Sequence, residues 1–379
     1  MDELDYLPFS LLAVSCFAFG FLSVKEKIDM RQWYIPSALA SKLGIVLLTV
    51  GLGSEVLILI APEILASTIY FFTLFKTIGV YSLIFSDSNR DKIIVGIFMF
   101  QFALRAILGG LLIEFLIFGL FFAMFYSIKY PIKTVTKIVF ISSASIFLIV
   151  YQGVKGEYRN LVWEGEVNNT ERVAILTNLI SLENIKEASS FDFENNEYLI
   201  QTIHRLNQGW HVSMVLNRVP SVVPFQHGQE FVNDIFSAFL PRIIWSNKRI
   251  VNDYQRFNYY TGHSLQKNTA MSLGVIGDFY INFGKVGTYF MMFIFGFLMA
   301  RLIRWLFIKI IYPNPINLIW LPFIFSYLVR PGNEFYMVVN HLFKALIVVW
   351  IVIKIVYPKL NLMKFYFVDQ EKNLNKFIS

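Results

Sequence analysis

The residues of this chain best suited to chemistry are the basic and histidine side chains between positions 201 and 270. They are Arg205, Arg218, Arg242, Lys248, Arg249, Arg256, Lys267, His204, His211, His227 and His263. A guanidinium group matches phosphate oxygens in a bidentate fork, and histidine exchanges protons near neutral pH. The cluster predicts a site for a phosphorylated ligand, although a solvated basic loop would have the same composition.

Aromatic side chains are interleaved with these charges. They are Trp210, Phe225, Phe231, Trp245, Tyr254, Phe257, Tyr259 and Tyr260. Tryptophan and tyrosine collect at the headgroup level of a bilayer, and aromatic rings also stack on sugars. Both explanations suit a site at a membrane surface, so the pattern leaves them open.

The stretch GVIGDFYINFGKVG, residues 274–287, carries polar side chains into an apolar segment. Its glycines recur at spacings that predict one small-residue stripe for close helix packing. Packing does not explain Asp278, Tyr280 and Asn282, because polar groups at membrane depth are costly and are usually functional or paired. These three residues therefore join the candidate site.

Two further charges lie inside apolar segments. Arg105 in FALRAI and Glu114 in LLIEFL occur on consecutive segments. One interpretation pairs them across the hairpin, and the other places Arg105 against a lipid phosphate. The sequence favours neither.

The elements that must position these residues are membrane helices. The chain is 56% hydrophobic with a mean hydropathy of +0.56 and 39 phenylalanines, which is too apolar for a soluble protein. Its single cysteine, Cys16, excludes an intramolecular disulfide. The apolar blocks predict an all-α multipass membrane protein of about nine or more spans. We place them at about 6–23, 36–60, 64–85, 93–107, 109–127, 138–155, 274–298, 316–330 and 337–356.

Basic residues follow every second predicted span and orient the chain. By the positive-inside rule these connections are cytoplasmic, so residues 156–273 and Arg330 are expected outside. The net charge of +7 comes mostly from these connections and does not indicate nucleic-acid binding. A site above the bilayer that is rich in arginine and histidine suits a pyrophosphate-linked lipid.

Four regions follow from this topology. They are a transmembrane bundle of about six helices (1–155), an extracytoplasmic loop carrying the basic site (156–273), C-terminal transmembrane helices (274–357) and a cytoplasmic tail (358–379). Within the loop, residues 155–200 are acidic, with a helical period between Val173 and Ile185. Residues 234–245 predict a re-entrant or interfacial helix stopped by Pro241.

The runs FLPRIIWSNK (239–248), TGHS (261–264) and the stretch from Asn268 to Leu298 resemble the Wzy-type O-antigen polymerases, which polymerise oligosaccharide repeat units. The matching positions are Pro241, Arg242, Trp245, Lys248, Gly277, Asp278, Tyr280, Asn282, Phe283, Gly284 and Gly287, together with Arg218 before a Pro-and-Gly stretch and the late Arg330. The resemblance covers about residues 215–300. Asp278 stands where glutamate is usual, and WSNKR lacks the prolines that often flank the lysine.

The resemblance implies a polymerase–ligase architecture, similar to that of the GT-C glycosyltransferases, in a bacterial inner membrane, with the site facing the periplasm. It implies transfer of a growing glycan from undecaprenyl pyrophosphate to the non-reducing end of a new lipid-linked repeat unit. No metal or nucleotide cofactor is expected. A flippase and a chain-length regulator are the expected partners.

Such a reaction requires positive charge on the leaving pyrophosphate and a base for the acceptor hydroxyl. For the base we prefer His211, followed by His227 and Asp278. The expected pyrophosphate and glycan contacts are Arg218, Arg242, Lys248, Arg330, Arg105, Arg205, Trp245, Tyr280 and Asn282.

Three other functions remain open. An O-antigen ligase uses the same donor class, and the sequence separates it poorly from a polymerase. A polysaccharide or lipid flippase would show internal repeats and polar residues through the depth of its spans, and neither is evident. A multipass acyltransferase would place its histidine within a helix of the membrane rather than in a loop.

Overall fold

The structure is a computed structural model. The structure describes residues 3–25, 35–109, 112–163, 167–179, 196, 200, 202, 209–240, 244–245, 248–249, 253–265, 271–330 and 332–359. Every regular element in these ranges is a helix, which confirms the all-α prediction. Two predicted site residues, Arg205 and Arg242, lie outside the described residues.

The helices follow in chain order. They are α1 (Glu3–Leu22), α2 (Ser37–Ile58), α3 (Glu63–Thr73), α4 (Phe75–Ile84), α5 (Asn89–Leu108), α6 (Leu112–Lys129), α7 (Thr134–Trp163), α8 (Asn169–Leu179), α9 (Gly209–Arg218), α10 (Gln229–Phe239), α11 (Tyr254–Thr261), α12 (Gly274–Leu306), α13 (Leu321–Phe325), α14 (Phe335–Ile351) and α15 (Tyr357–Lys359). π-Helical turns extend α12 and α14 over Phe307–Ile311 and Val352–Val356, and a 3-10 helix, Pro315–Trp320, precedes α13.

Each of the nine apolar segments predicted as spans overlaps at least one helix in the described part of the chain. Four helical stretches in the described part are long and apolar enough to cross a membrane: Ser37–Ile58, Thr134–Tyr158, Gly274–Ile311 and Phe335–Lys359. Shorter apolar helices cover Tyr6–Leu22, Ile69–Ile84 and Pro315–Phe325. The chain therefore has the helices of a membrane protein, and the count of about nine spans stays a prediction.

The chain forms two compact units. The first comprises Met1–Ser82 and Gln208–Ser379, and the second comprises Leu83–Asn207. The four regions predicted from the sequence, with boundaries at 155, 273 and 357, are defined by the side of the membrane on which they lie. The two compact units are defined by residue contacts, so they do not test those boundaries.

The first unit is built around the packing of α1 against α12. Gly20 and Gly296 let the two backbones touch: a Cβ at Gly296 would collide with the carbonyl of Phe17, and one at Gly20 with that of Phe293. A buried core then joins this pair to α9 and α11 through residues such as Phe9, Val215, Phe257 and Ile281. Close approach of helices at small residues is typical of membrane proteins.

The predicted glycine stripe of residues 274–287 is wrong. Gly284 has φ 66° and ψ −173°, which breaks α12 at that residue. This backbone region is essentially restricted to glycine. A Cβ at Gly274 would meet nothing within 4 Å. The contact glycine of α12 is Gly296, farther along the helix.

In the second unit, α7 packs beside the end of α5. The hydroxyls of Tyr151 and Tyr158 each donate to a backbone carbonyl there, those of Ile107 and Leu108, both at 2.7 Å. Arg105 and Glu114 are both exposed on consecutive helices of this unit. Neither interpretation of the two charges is tested by these positions.

The acidic segment forms α8, which begins with a capping box. The backbone N–H of Glu171 donates to Asn168 Oδ1 at 2.9 Å, and the N–H of Asn168 donates back to Glu171 Oε2 at 3.0 Å. This reciprocal pattern satisfies two amides that a helix start leaves open. Of the segment predicted to be helical, Val173 to Ile185, the part up to Leu179 is a helix, and residues 180–195 lie outside the described part.

Candidate functional site

A cavity of about 400 Å³ lies in the first unit. Its walls come from α1, the start of α9, both halves of α12 and the turn before α14. The lining residues are Ser10, Val14, Phe17, Gly209, His211, Val212, Leu273, Gly274, Val275, Ile276, Met292, Phe295, Leu328, Arg330, Gly332 and Asn333. Most are apolar, with His211 and Arg330 as titratable groups. This combination is typical of ligand sites, in which a few polar groups converge in an apolar pocket.

His211 belongs to α9, whose apolar face packs into the core and buries the imidazole. The ring lies edge-on to Phe257 at 5.3 Å and against Trp210 at 4.2 Å. Its Nε2 atom has no hydrogen-bond partner among the described residues. Burial, and then the nearby His263, lower the pKa of His211 to about 4, so the ring is neutral at pH 7.

Arg330 reaches the same cavity from a point 119 positions later in the chain, counted from 211 to 330. Its guanidinium carbon lies 5.5 Å from the centre of the Tyr327 ring. The turn around it is tied by Asn333 Nδ2, which donates to the Tyr327 carbonyl at 2.7 Å. The predicted base and one predicted phosphate ligand therefore line one cavity.

A buried charge cluster lies beside this cavity. Arg256 of α11 is its centre: the guanidinium donates to Glu230 at 2.9 Å, to Glu334 at 3.1 Å and to Asp278 at 2.7 Å. It also lies 5.3 Å from the centre of the Tyr260 ring. Burial lowers the pKa of Arg256, but the surrounding carboxylates outweigh this and raise it well above its usual value.

A second arginine, Arg249, completes the cluster. It donates to Asp234 at 2.5 Å and to Glu334, and it lies 3.8 Å from Asp278. Burial, opposed by Arg249 and aided by Asp278, raises the pKa of Asp234 to about 7. Burial and Asp278 also raise the pKa of Glu334. Burial is the larger cause for both groups, and the excess of acids over the two arginines of the cluster adds to it.

The polar residues of the 274–287 stretch make structural bonds. Asp278 holds Arg256 with one oxygen and accepts the N–H of Phe335 at 2.8 Å with the other. Tyr280 donates to the Val219 carbonyl at 2.8 Å. Asn282 Oδ1 accepts the N–H of Phe231 at 3.2 Å. The expectation that such groups are functional or paired is met by pairing, and their predicted roles as base or ligand stay predictions.

Four further predicted residues lie elsewhere in the first unit, whereas Arg105 belongs to the second unit. Arg218 Nε donates to the Tyr259 carbonyl at 2.8 Å. Lys248 donates to the Leu240 carbonyl at 3.1 Å, and Trp245 donates to Asn233 at 3.0 Å. His227 is exposed in a turn with φ 48°. None of these side chains is among those lining the cavity.

The sequence placed Arg249 and Arg256 in the basic cluster without assigning either a role, and it did not indicate Glu334 or Glu230 as site residues. Their pairing links positions 78 and 85 apart, so no local pattern reveals it. The available signal was Asp278, a carboxylate that had to find a cation at the start of a membrane helix. The described residues contain no group of His, Cys, Asp and Glu that could hold a metal ion.

The structure defines an all-helical membrane protein in which α9 packs against α1 and α12 and lines a cavity that has one arginine and one histidine. The chain belongs to the family described as a domain of unknown function (DUF8712), whose model matches residues 8–364. No curated protein and no solved structure matches it.

Proposed function

We propose that this protein is a polysaccharide polymerase of the cytoplasmic membrane of a bacterium, with its site facing outward. The donor is a glycan on undecaprenyl pyrophosphate, and the acceptor is the non-reducing sugar of a new lipid-linked repeat unit. The observation that carries the proposal is the shared cavity of His211 and Arg330, two residues that the sequence had nominated independently for base and pyrophosphate contact.

The chemistry follows from these two side chains. The acceptor hydroxyl oxygen attacks the anomeric carbon of the donor sugar, the bond from that carbon to the pyrophosphate oxygen breaks, and lipid pyrophosphate leaves. Arg330 balances the charge that develops on the leaving group. His211 Nε2 takes the hydroxyl proton. Burial makes His211 a weak base, and an adjacent pyrophosphate would raise its pKa because negative charge favours the protonated ring.

The apolar cavity walls support a lipid-linked ligand over a soluble one. Phe17, Met292 and Phe295 come from α1 and α12, which are mostly apolar around these residues. A polyprenyl chain loses less by leaving the bilayer for such walls than by entering water. We also propose that Arg218, Arg242 and Lys248 contact the same pyrophosphate.

The test is a polymer-ladder assay with purified protein in liposomes and one lipid-linked repeat unit as donor and acceptor. We expect ladders from the wild type and their loss, by at least about tenfold, in Arg330→Ala and Arg330→Lys, since lysine lacks the bidentate fork. Arg301→Ala is the matched control, because Arg301 is exposed on α12 beside Phe297. A ligase would transfer the glycan to a lipid A core and give no ladder. Full ladders from both Arg330→Ala and His211→Ala would refute the proposed site.

A further inference from the structure

The cavity wall near Arg330 is held by the buried charge cluster. Glu334 follows two lining residues, Gly332 and Asn333. Its Oε1 accepts the N–H of Leu273 at 3.3 Å, and Leu273 also lines the cavity. Next to this bond, the hydroxyl of Ser272 donates to the Gly332 carbonyl. Two strips of cavity wall, one before α12 and one before α14, are thus bonded to each other, and each bond joins a side chain of one strip to a backbone group of the other.

The same carboxylate is fixed from the other side by arginines. Glu334 receives Arg256 on Oε1 and Arg249 on Oε2, and its side chain is 6% exposed. Asp278 ties Arg256 to the first N–H of α14, that of Phe335. A guanidinium has enough donors in a fixed plane to bridge several carboxylates at once, which an ammonium group does not.

We propose that Arg256 and Glu334 are positioning residues for the cavity: they lock its two wall strips together and thereby hold the turn that carries Arg330. The chain of contacts runs from Arg256 to Glu334, through the neighbouring Asn333 to the Tyr327 carbonyl, and Tyr327 faces Arg330. The part of this proposal that concerns pyrophosphate rests on the proposed function, and the part that concerns the cavity wall does not.

A thiol reporter separates these two parts. Ser10 of α1 lines the cavity, so Ser10→Cys places a nearly isosteric thiol there. Cys16→Ser removes the natural thiol. In this background the labelling rate by a small hydrophilic thiol reagent measures how open the cavity is. Slowing of the labelling by inorganic pyrophosphate measures whether Arg330 is in place.

We expect Glu334→Gln to raise the labelling rate by at least about tenfold. Both carboxylate oxygens of Glu334 accept hydrogen bonds, so the amide nitrogen of glutamine would face donors and leave at least one of them without its acceptor. Arg256→Lys, which keeps the charge and is the safer variant for folding, should give a smaller rise. Both should abolish protection by pyrophosphate although Arg330 is unchanged. Glu55→Gln is the matched control: it breaks the Glu55–Lys76 ion pair between α2 and α4, whose residues do not line the cavity.

Labelling rates equal to that of the reporter background in both variants would overturn the proposal. An equal rise in Glu55→Gln would also overturn it, because the effect would then be general loosening. If pyrophosphate fails to protect the reporter background itself, the proposed function loses support, while a raised labelling rate in Glu334→Gln still supports the positioning role.

Discussion

Replacing Gly296 by alanine tests the helix contact that forms one wall of the cavity. The new Cβ would lie well inside 3.0 Å of the Phe17 carbonyl oxygen, a separation that real Cβ atoms do not show. The obstacle is backbone, so no side-chain rotation relieves it. Either α1 or α12 must therefore shift by most of an ångström.

The magnitude follows from the cost of overpacking. Forcing an extra methyl into a packed contact typically costs about 1–3 kcal/mol. Removing a helix-interior glycine works in the opposite direction by about 0.5–1 kcal/mol. The net destabilisation of Gly296→Ala should therefore be about 1–2 kcal/mol, which lowers the thermal midpoint by a few degrees.

The assay is thermal unfolding of the purified protein in detergent. Gly53→Ala is the matched control, because Gly53 lies in the interior of α2 and a Cβ there meets nothing within 4 Å. We expect an unchanged or slightly raised midpoint for this control. A Gly296→Ala protein as stable as Gly53→Ala would refute the close packing of α1 on α12.

Two further predictions concern the charge cluster and the helix break. Asp234, with its pKa raised to about 7, contributes stability that is lost as pH rises toward 7, whereas His211, with its pKa lowered to about 4, contributes stability that is lost as pH falls below about 6.5. Between about pH 5 and 6.5, the thermal midpoint of Asp234→Asn should therefore rise with pH relative to that of the wild type. The midpoint of His211→Gln should fall with pH relative to that of the wild type over the same range. Gly284→Ala should cost about 1–3 kcal/mol from backbone strain alone, since its Cβ would meet only Phe225 at an ordinary 3.5 Å.

Each of these has a clear contrary result. Identical pH profiles of wild type and Asp234→Asn would show that the Asp234 carboxyl does not hold a proton in the folded state. A Gly284→Ala protein with the wild-type midpoint would show a regular helix at that residue instead of a break.

The helices could be predicted from the sequence because hydrophobic runs and prolines determine the backbone conformation of neighbouring residues. The helix α10 ends at Phe239, and Leu240, just before Pro241, is extended with ψ 137°. This is the predicted stop, and its cause is the steric clash of a proline with the residue before it. The glycine spacing of residues 274–287 gave a wrong prediction of a packing stripe, because glycine occurs both where helices pack closely and where the backbone has a positive φ. Spacing alone does not distinguish them, and Gly284 serves the second.

The site was accessible only in part. His211 and Arg330 could be nominated by chemistry, since a base and a phosphate ligand have few candidate side chains. Their meeting in one cavity could not be predicted, because it depends on how α9 packs against α1 and α12. The pairing of Arg256 with Glu334 could not be predicted for the same reason, because an ion pair between distant residues produces no periodic pattern in the sequence.

The charge cluster also sets an order of events during synthesis. Arg256 emerges from the ribosome 78 residues before Glu334, an interval of roughly 4–16 s at ordinary translation rates. Of the acids of the cluster, Glu230 and Asp234 are synthesised before Arg256, and Asp278 follows it by 22 residues. The arrival of Glu334, one residue before α14 begins, is then the step that closes the cluster. The cluster is therefore complete only when the start of α14 has been made, so a chain truncated before residue 334 would carry the cavity's histidine without the carboxylate that bonds Leu273 and both arginines.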